Sequence, residues 1–327
     1  MRRGLAIAAI VVATGLASAG LLIWRSLAPR QVTLTTGHVP EELVYVRSSD
    51  DVVNGGAMFK PPKSAAKPIA IIWMHGWGVN FYSPTYALIG RRLAERGFTT
   101  VTINTRMHDI GTIEGFRLGK RIRGGGYWGV PSDEMKDIAA WTDFVERQGF
   151  AKVVLVGHSA GWATVRAYQA DVQDPRVVGL VLASGQARGG SNDSDPQLVA
   201  RATKLVADGR GEDLLRLPNP SFPSFVSAAT YADLARTSAD MLDFFGERAP
   251  NPGVTRIRCP ILAFFGTRES DVGTEADLEV LKWSVERQPR HPQVTTASIH
   301  GADHMYTGEE AQVAQVIATW IGGSPIH

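Results

Sequence analysis

Three residue types that together can move an acyl group, a serine, a histidine and a carboxylate, each follow a short apolar run of this chain. Ser159 lies in Gly157-His158-Ser159-Ala160-Gly161, directly after Val153 to Val156 and before Ala160 to Ala170, a stretch with few helix breakers. A serine on so sharp a strand-to-helix turn is presented as a nucleophile, and glycines two residues to either side relieve the crowding of that turn. The nucleophile then needs a base, an acid to orient the base, and donors for an oxyanion. His304, in Gly301-Ala302-Asp303-His304, follows the strand-like Val294 to Ile299 and is the expected base; His300, at the strand's own end, has less freedom to reach the turn. The strand Ile261 to Phe265 ends at Gly266, which places Glu269 as the expected acid and Asp271 as the alternate. His75-Gly76-Trp77-Gly78 follows the run ending at Met74, so the Trp77 amide, with that of Ala160, is the expected oxyanion hole.

The elements that must position these residues alternate. Val32 to Thr36 and Glu42 to Ser48 read as an opening antiparallel pair, with Pro61-Pro62 marking a turn. Ile69 to Met74, Thr99 to Ile103, Val153 to Val156, Val177 to Leu182 and Ile261 to Phe265 are continuous apolar runs, the pattern of a parallel sheet covered on both faces. Helices are expected from Ser132, as N-cap, through Val145, and at the C-terminus from near Glu309 to Ile321. This alternation predicts a doubly wound α/β sheet.

With HGWG at 75 to 78, GHSAG at 157 to 161, FFGTRE at 264 to 269 and GADH at 301 to 304, the chain from about Ile69 to Ile321 resembles the α/β-hydrolase superfamily. The resemblance implies an eight-stranded, mostly parallel sheet, a Ser-His-acid triad, no cofactor, and a helical cap inserted at about 185–258. Within that cap, helices are read over Pro196 to Asp208 and Tyr231 to Phe245. Phe222, Phe225, Phe244 and Phe245 either line an acyl pocket or pack the cap onto the sheet; Arg121 to Gly129 either edges the pocket or is a surface hairpin. A serine rather than an aspartate at position 159 favours ester, thioester or amide cleavage over dehalogenation or epoxide opening. Acyl transfer to an alcohol and a non-catalytic binding module of the same fold are the alternatives.

Composition narrows the partners. Lys and Arg total 34 against 32 acidic residues in 327, with no basic patch that would suit nucleic acid. The single Cys259, expected to be buried beside Pro260, rules out an internal disulfide. His108-Asp109 has no partner cluster nearby in sequence, and no metal site is expected. Arg2 and Arg3 precede an apolar run from Gly4 to Trp24, long enough to cross a bilayer. Residues 1–30 are therefore expected to anchor the protein with its catalytic part outside the cytoplasm, or to release it by cleavage after Ala17-Ser18-Ala19. The expected substrate is a small-molecule or lipid-like acyl compound.

Overall fold

Each buried strand reads as an unbroken apolar run because its alternate residues enter two different cores. In the computed structural model, which describes residues 32–34, 39–190, 194–218, 223–269, 272–324 and 326, Ile69, Ile71 and Trp73 face one layer of helices while Ala70, Ile72 and Met74 face the other. The anchor or signal segment expected over 1–30, Phe222 and the alternate acid Asp271 lie outside the described residues. Among the described residues, no helix is long and apolar enough to cross a membrane.

The strands in chain order are β1 (Val32–Leu34), β2 (Glu41–Arg47), β3 (Val53–Phe59), β4 (Ile69–Met74), β5 (Thr100–Ile103), β6 (Thr112–Arg117), β7 (Lys120–Gly124), β8 (Lys152–His158), β9 (Val177–Ala183), β10 (Leu214–Arg216), β11 (Phe225–Ser227), β12 (Ile261–Gly266) and β13 (Val294–Ile299). The sheet runs β1-β2-β3-β5-β4-β8-β9-β12-β13. From β2 to β13 these are the eight strands of the expected mostly parallel sheet; β1 adds a ninth at the edge, antiparallel to β2. β3 is antiparallel to both β2 and β5, and the remaining neighbours are parallel.

The helices are α1 (Pro84–Glu95), α2 (Glu134–Arg147), α3 (Ala160–Asp171), α4 (Pro196–Ala207), α5 (Ala228–Leu234), α6 (Ala239–Leu242), α7 (Glu275–Glu286) and α8 (Glu310–Gly323). α1 and α8 cover one face of the sheet; α2, α3 and α7 cover the other. Ser132 is not the N-cap of α2. A 3-10 turn over Pro131–Asp133 precedes the helix, and Ser132 Oγ instead donates to Asp233 at 2.7 Å.

Between β9 and β12 the inserted segment holds α4 to α6 and the β10–β11 hairpin, clustered around Ala202, Leu215, Val226 and Tyr231 and packed against Trp77. The α4 helix starts as read, with Asp195 accepting from the Gln197 amide at 2.9 Å. The second expected helix is broken into α5 and α6 at Ala235–Ser238.

Candidate active site

The turn between β8 and α3 is built from backbones too close for side chains. Ser159 holds φ 54° and ψ −122°, a left-handed conformation that costs a non-glycine residue about 1–3 kcal/mol. The Ser159 amide donates to Ala183 O at 3.0 Å, and its carbonyl accepts from the Trp162 amide at 3.1 Å. A Cβ on Gly157 would strike the Gly161 carbonyl, and one on Gly161 would lie 2.5 Å from His75 O. These two glycines are therefore demanded by three main-chain segments meeting under the serine.

His304, beyond β13, is placed with its Nε2 3.1 Å from Ser159 Oγ and its Nδ1 2.8 Å from Glu269 Oε2. This arrangement fits a neutral imidazole whose Nδ1–H donates to Glu269 and whose Nε2 accepts the serine hydroxyl. The two loops that carry His304 and Glu269 are stitched together: Thr267 N donates to Ile299 O at 3.0 Å and Arg268 N to Ala302 O at 2.9 Å. Gly266 is required there, because a Cβ would strike Ala302 O. The Glu269 side chain is fully buried. His300 is not brought to the serine; it is exposed, and its backbone is bonded to the Gln312 side chain.

Two further histidines act as struts. His158 donates from Nε2 to His304 O at 2.8 Å and accepts the Tyr86 hydroxyl at Nδ1 at 2.7 Å. Burial, reinforced by nearby His304, pushes it down to about 3, so it stays neutral and cannot serve as a competing base. His75 donates from Nδ1 to Gly76 O at 2.6 Å and accepts the Thr105 amide at Nε2 at 3.1 Å; burial pushes it down to about 4. It shapes the turn that brings Gly76 so near the serine that a Cβ there would lie 2.8 Å from Ser159 Cβ.

Trp77 and Ala160 line the same cavity as Ser159, a space of about 370 Å³ whose wall also includes Met107, Pro131, Trp162 and Val272. Of the phenylalanines weighed as an acyl pocket, Phe225, Phe244 and Phe245 do not line it. Phe244 and Phe245 are buried against Arg166, with Phe245 edge-on to Trp162, and pack the cap onto the sheet. Phe225 lies 38% exposed beside Tyr127. Lys120–Gly124 forms one strand of the β6–β7 surface hairpin, and Gly126 just beyond it abuts the Trp77 indole at the cavity edge.

Two cavity residues escaped the sequence reading. Glu134 is buried, accepts from the Thr105 and Thr164 hydroxyls at 2.5 and 2.7 Å, and is pushed up to about 7 chiefly by desolvation. Arg166, on α3, is likewise buried in the wall. The only signal for either was helical phase: Arg166 is seven residues beyond Ser159, two turns along the same helix face. His108 lies between Asp109 at 2.8 Å and Glu114 at 3.2 Å. Among the described residues, no group of three or more His, Cys, Asp or Glu is arranged to hold a metal ion.

The alpha/beta hydrolase family model matches residues 71–316. No curated protein matches the chain. Among solved structures, Est1E from Butyrivibrio proteoclasticus aligns with a TM-score of 0.56 at 14% identity, covering 85% of this chain and 97% of that one. The esterase domain of a Rhodothermus marinus protein aligns at 0.52 and 17% identity over 86% of this chain and 97% of its own. A Pyrococcus furiosus esterase aligns at 0.52 and 13% identity over 91% and 94%. With this match running through the strands and loops that carry Ser159, Glu269 and His304, the chain belongs to the alpha/beta hydrolase family.

Proposed function

We propose that this hydrolase is a serine esterase that cleaves a carboxylic ester, or a related thioester or amide, through an acyl-enzyme on Ser159. The observation that carries the reading is the continuous hydrogen-bonded series Ser159 Oγ, His304 and buried Glu269 at the edge of a 370 Å³ cavity. The esterases that share the fold are consistent with it.

In this mechanism His304 Nε2 takes the hydroxyl proton as Ser159 Oγ attacks the ester carbonyl. The main-chain amides of Trp77 and Ala160 receive the developing oxyanion. His304 then protonates the departing alcohol, the C–O bond breaks, and water, deprotonated by the same imidazole, releases the acid and restores the serine. Glu269 keeps the proton on Nδ1 and stabilises the imidazolium as it forms.

Hydrolysis of a nitrophenyl ester series by the protein from residue 31 onward tests the reading. Ser159→Ala is expected to abolish turnover, and Glu269→Gln to lower kcat by about three to four orders of magnitude. Turnover surviving in Ser159→Ala sinks the acyl-enzyme; a folded protein inert toward every ester points to the non-catalytic module, and product appearing only with added alcohol to acyl transfer. As part of the same proposal, residues 1–30 tether the domain on the outer face of a membrane, which protease accessibility in intact cells checks.

A further inference from the structure

Among the described residues, Arg166 is a cation without a carboxylate partner in the wall of the reactive cavity. Its residue surface is only 7% exposed, yet its single hydrogen bond among the described residues is from Nη2 to the Met241 carbonyl at 3.1 Å. Nε has no partner, and no carboxylate among the described residues lies within ion-pair distance. The described acidic groups around it are engaged elsewhere. Glu134 accepts from two threonines, Asp171 pairs with Arg256, and Asp233 is held by Ser132 and Arg236. The other buried polar atoms of the wall that lack partners, Trp77 Nε1 and Trp162 Nε1, are donors as well.

A purely structural role accounts for part of this. The guanidinium lies over Phe244 and Phe245, 4.7 and 5.6 Å from their centroids, and its bond to Met241 fastens the cap to α3. Aromatic faces and one neutral carbonyl do not neutralise a buried charge, however, and a neutral side chain would fasten the cap without that penalty. Position adds the second argument. Arg166 lines both the Ser159 cavity and a neighbouring one of about 310 Å³, so it stands where a ligand extending from the serine along α3 must pass.

We propose that Arg166 binds a carboxylate on the non-reacting end of the substrate, making the preferred substrate a half-ester of a dicarboxylic acid or an ester of a hydroxy acid. This deepens the esterase reading and rests on it. A single guanidinium suits a monoanion better than a phosphate dianion, the nearby Arg236 being already paired with Asp233. Seven residues of helix set Arg166 about 10 Å from Ser159 along the axis, and helical side chains lean back toward the N-terminus. The matching spacer is roughly six to eight carbons.

The test compares two matched pairs with the purified protein: nitrophenyl monosuberate against its methyl ester, for an anion on the acyl side, and the acetyl ester of hydroxyoctanoic acid against its methyl ester, for the alcohol side. The expected result is a kcat/KM ratio favouring the free acid by at least about tenfold in one pair, carried mostly by KM, and falling toward one in Arg166→Gln. Parity or a preference for the neutral ester in both pairs, with turnover that depends on Ser159, overturns the carboxylate site while leaving the esterase standing; this comparison needs no Arg166 variant to fold. If no pair is turned over, the esterase reading is what fails, and calorimetry with monomethyl suberate decides the site separately. Binding of monomethyl suberate, but not of dimethyl suberate, supports it, and equal or absent binding overturns it.

Discussion

At the scale of single residues, Glu134 is the group whose ionisation the fold opposes most legibly. Desolvation raises it from its ordinary 4.5 to about 7. A carboxyl whose folded value lies above its unfolded one favours the folded state fully below the unfolded value, and that contribution is lost as pH rises through the folded value. Between pH 4.5 and 8 the wild-type protein should therefore lose about 3 kcal/mol that Glu134→Gln does not lose. Urea unfolding at pH 5 and pH 8 checks this; an equal decline in both proteins would show that other groups carry it. His158 marks where residue-level reading ran short. In the sequence it was one of the seven histidines competing with His304, and only the Tyr86 hydroxyl and the His304 carbonyl on its two nitrogens make it a strut.

At the scale of elements, the strand, turn and helix around Ser159 were legible because local sterics alone demand glycine there. Gly157→Ala should be destabilising by at least about 2 kcal/mol, since the new methyl meets the Gly161 backbone, which cannot move aside as a side chain would. Thermal unfolding checks it, and an unchanged Tm would refute the steric account. β3 escaped notice for a related reason: Gly55 and Gly56 weaken its strand pattern, yet a Cβ on Gly56 would lie 2.6 Å from the Trp141 ring, so the glycine serves packing from a distant helix. The expected helix over Tyr231 to Phe245 fails through local competition. Thr237 Oγ1 donates back to Leu234 O at 2.9 Å, and Asp243, just past α6, turns its carboxylate to the amides of Glu247, Arg248 and Ala249. Asp243→Ala should loosen that cap segment, raising its hydrogen exchange before that of the sheet. Uniform exchange across both would argue against a local role.

At the scale of the whole molecule, the antiparallel edge of the sheet is tied to α2 through one buried guanidinium. Arg106, 7% exposed, reaches Asp50 in the turn after β2 and Asp137 on α2, each at 2.9 Å. Burial opposes its charge, but these two carboxylates prevail and hold it protonated. Removing the cation strands Asp137, whose side chain is fully buried, so Arg106→Met should cost about 3–5 kcal/mol. Arg106→Met with Asp137→Asn should recover much of that loss, because the stranded charge goes with its partner. Denaturant midpoints of the two proteins measure the difference, and an unrecovered double variant would place the cost in packing.

By itself the sequence determined the kinds and chain order of the reactive residues, the apolar runs that become parallel strands, and the glycine-lined turn that strains Ser159, because each depends on neighbours a few residues apart. Only the tertiary structure decided which groups meet. His304 and Ser159 are 145 residues apart, and Glu269 and His304 are 35 apart. Their contacts depend on the parallel register of β12 with β13 and on the bonds stitching their loops, which no local pattern encodes. The same holds for the cavity wall. An arginine on α3 reads as an ordinary helix surface residue until the cap folds over it, and burial then turns an unremarked side chain into a charge with no carboxylate partner among the described residues.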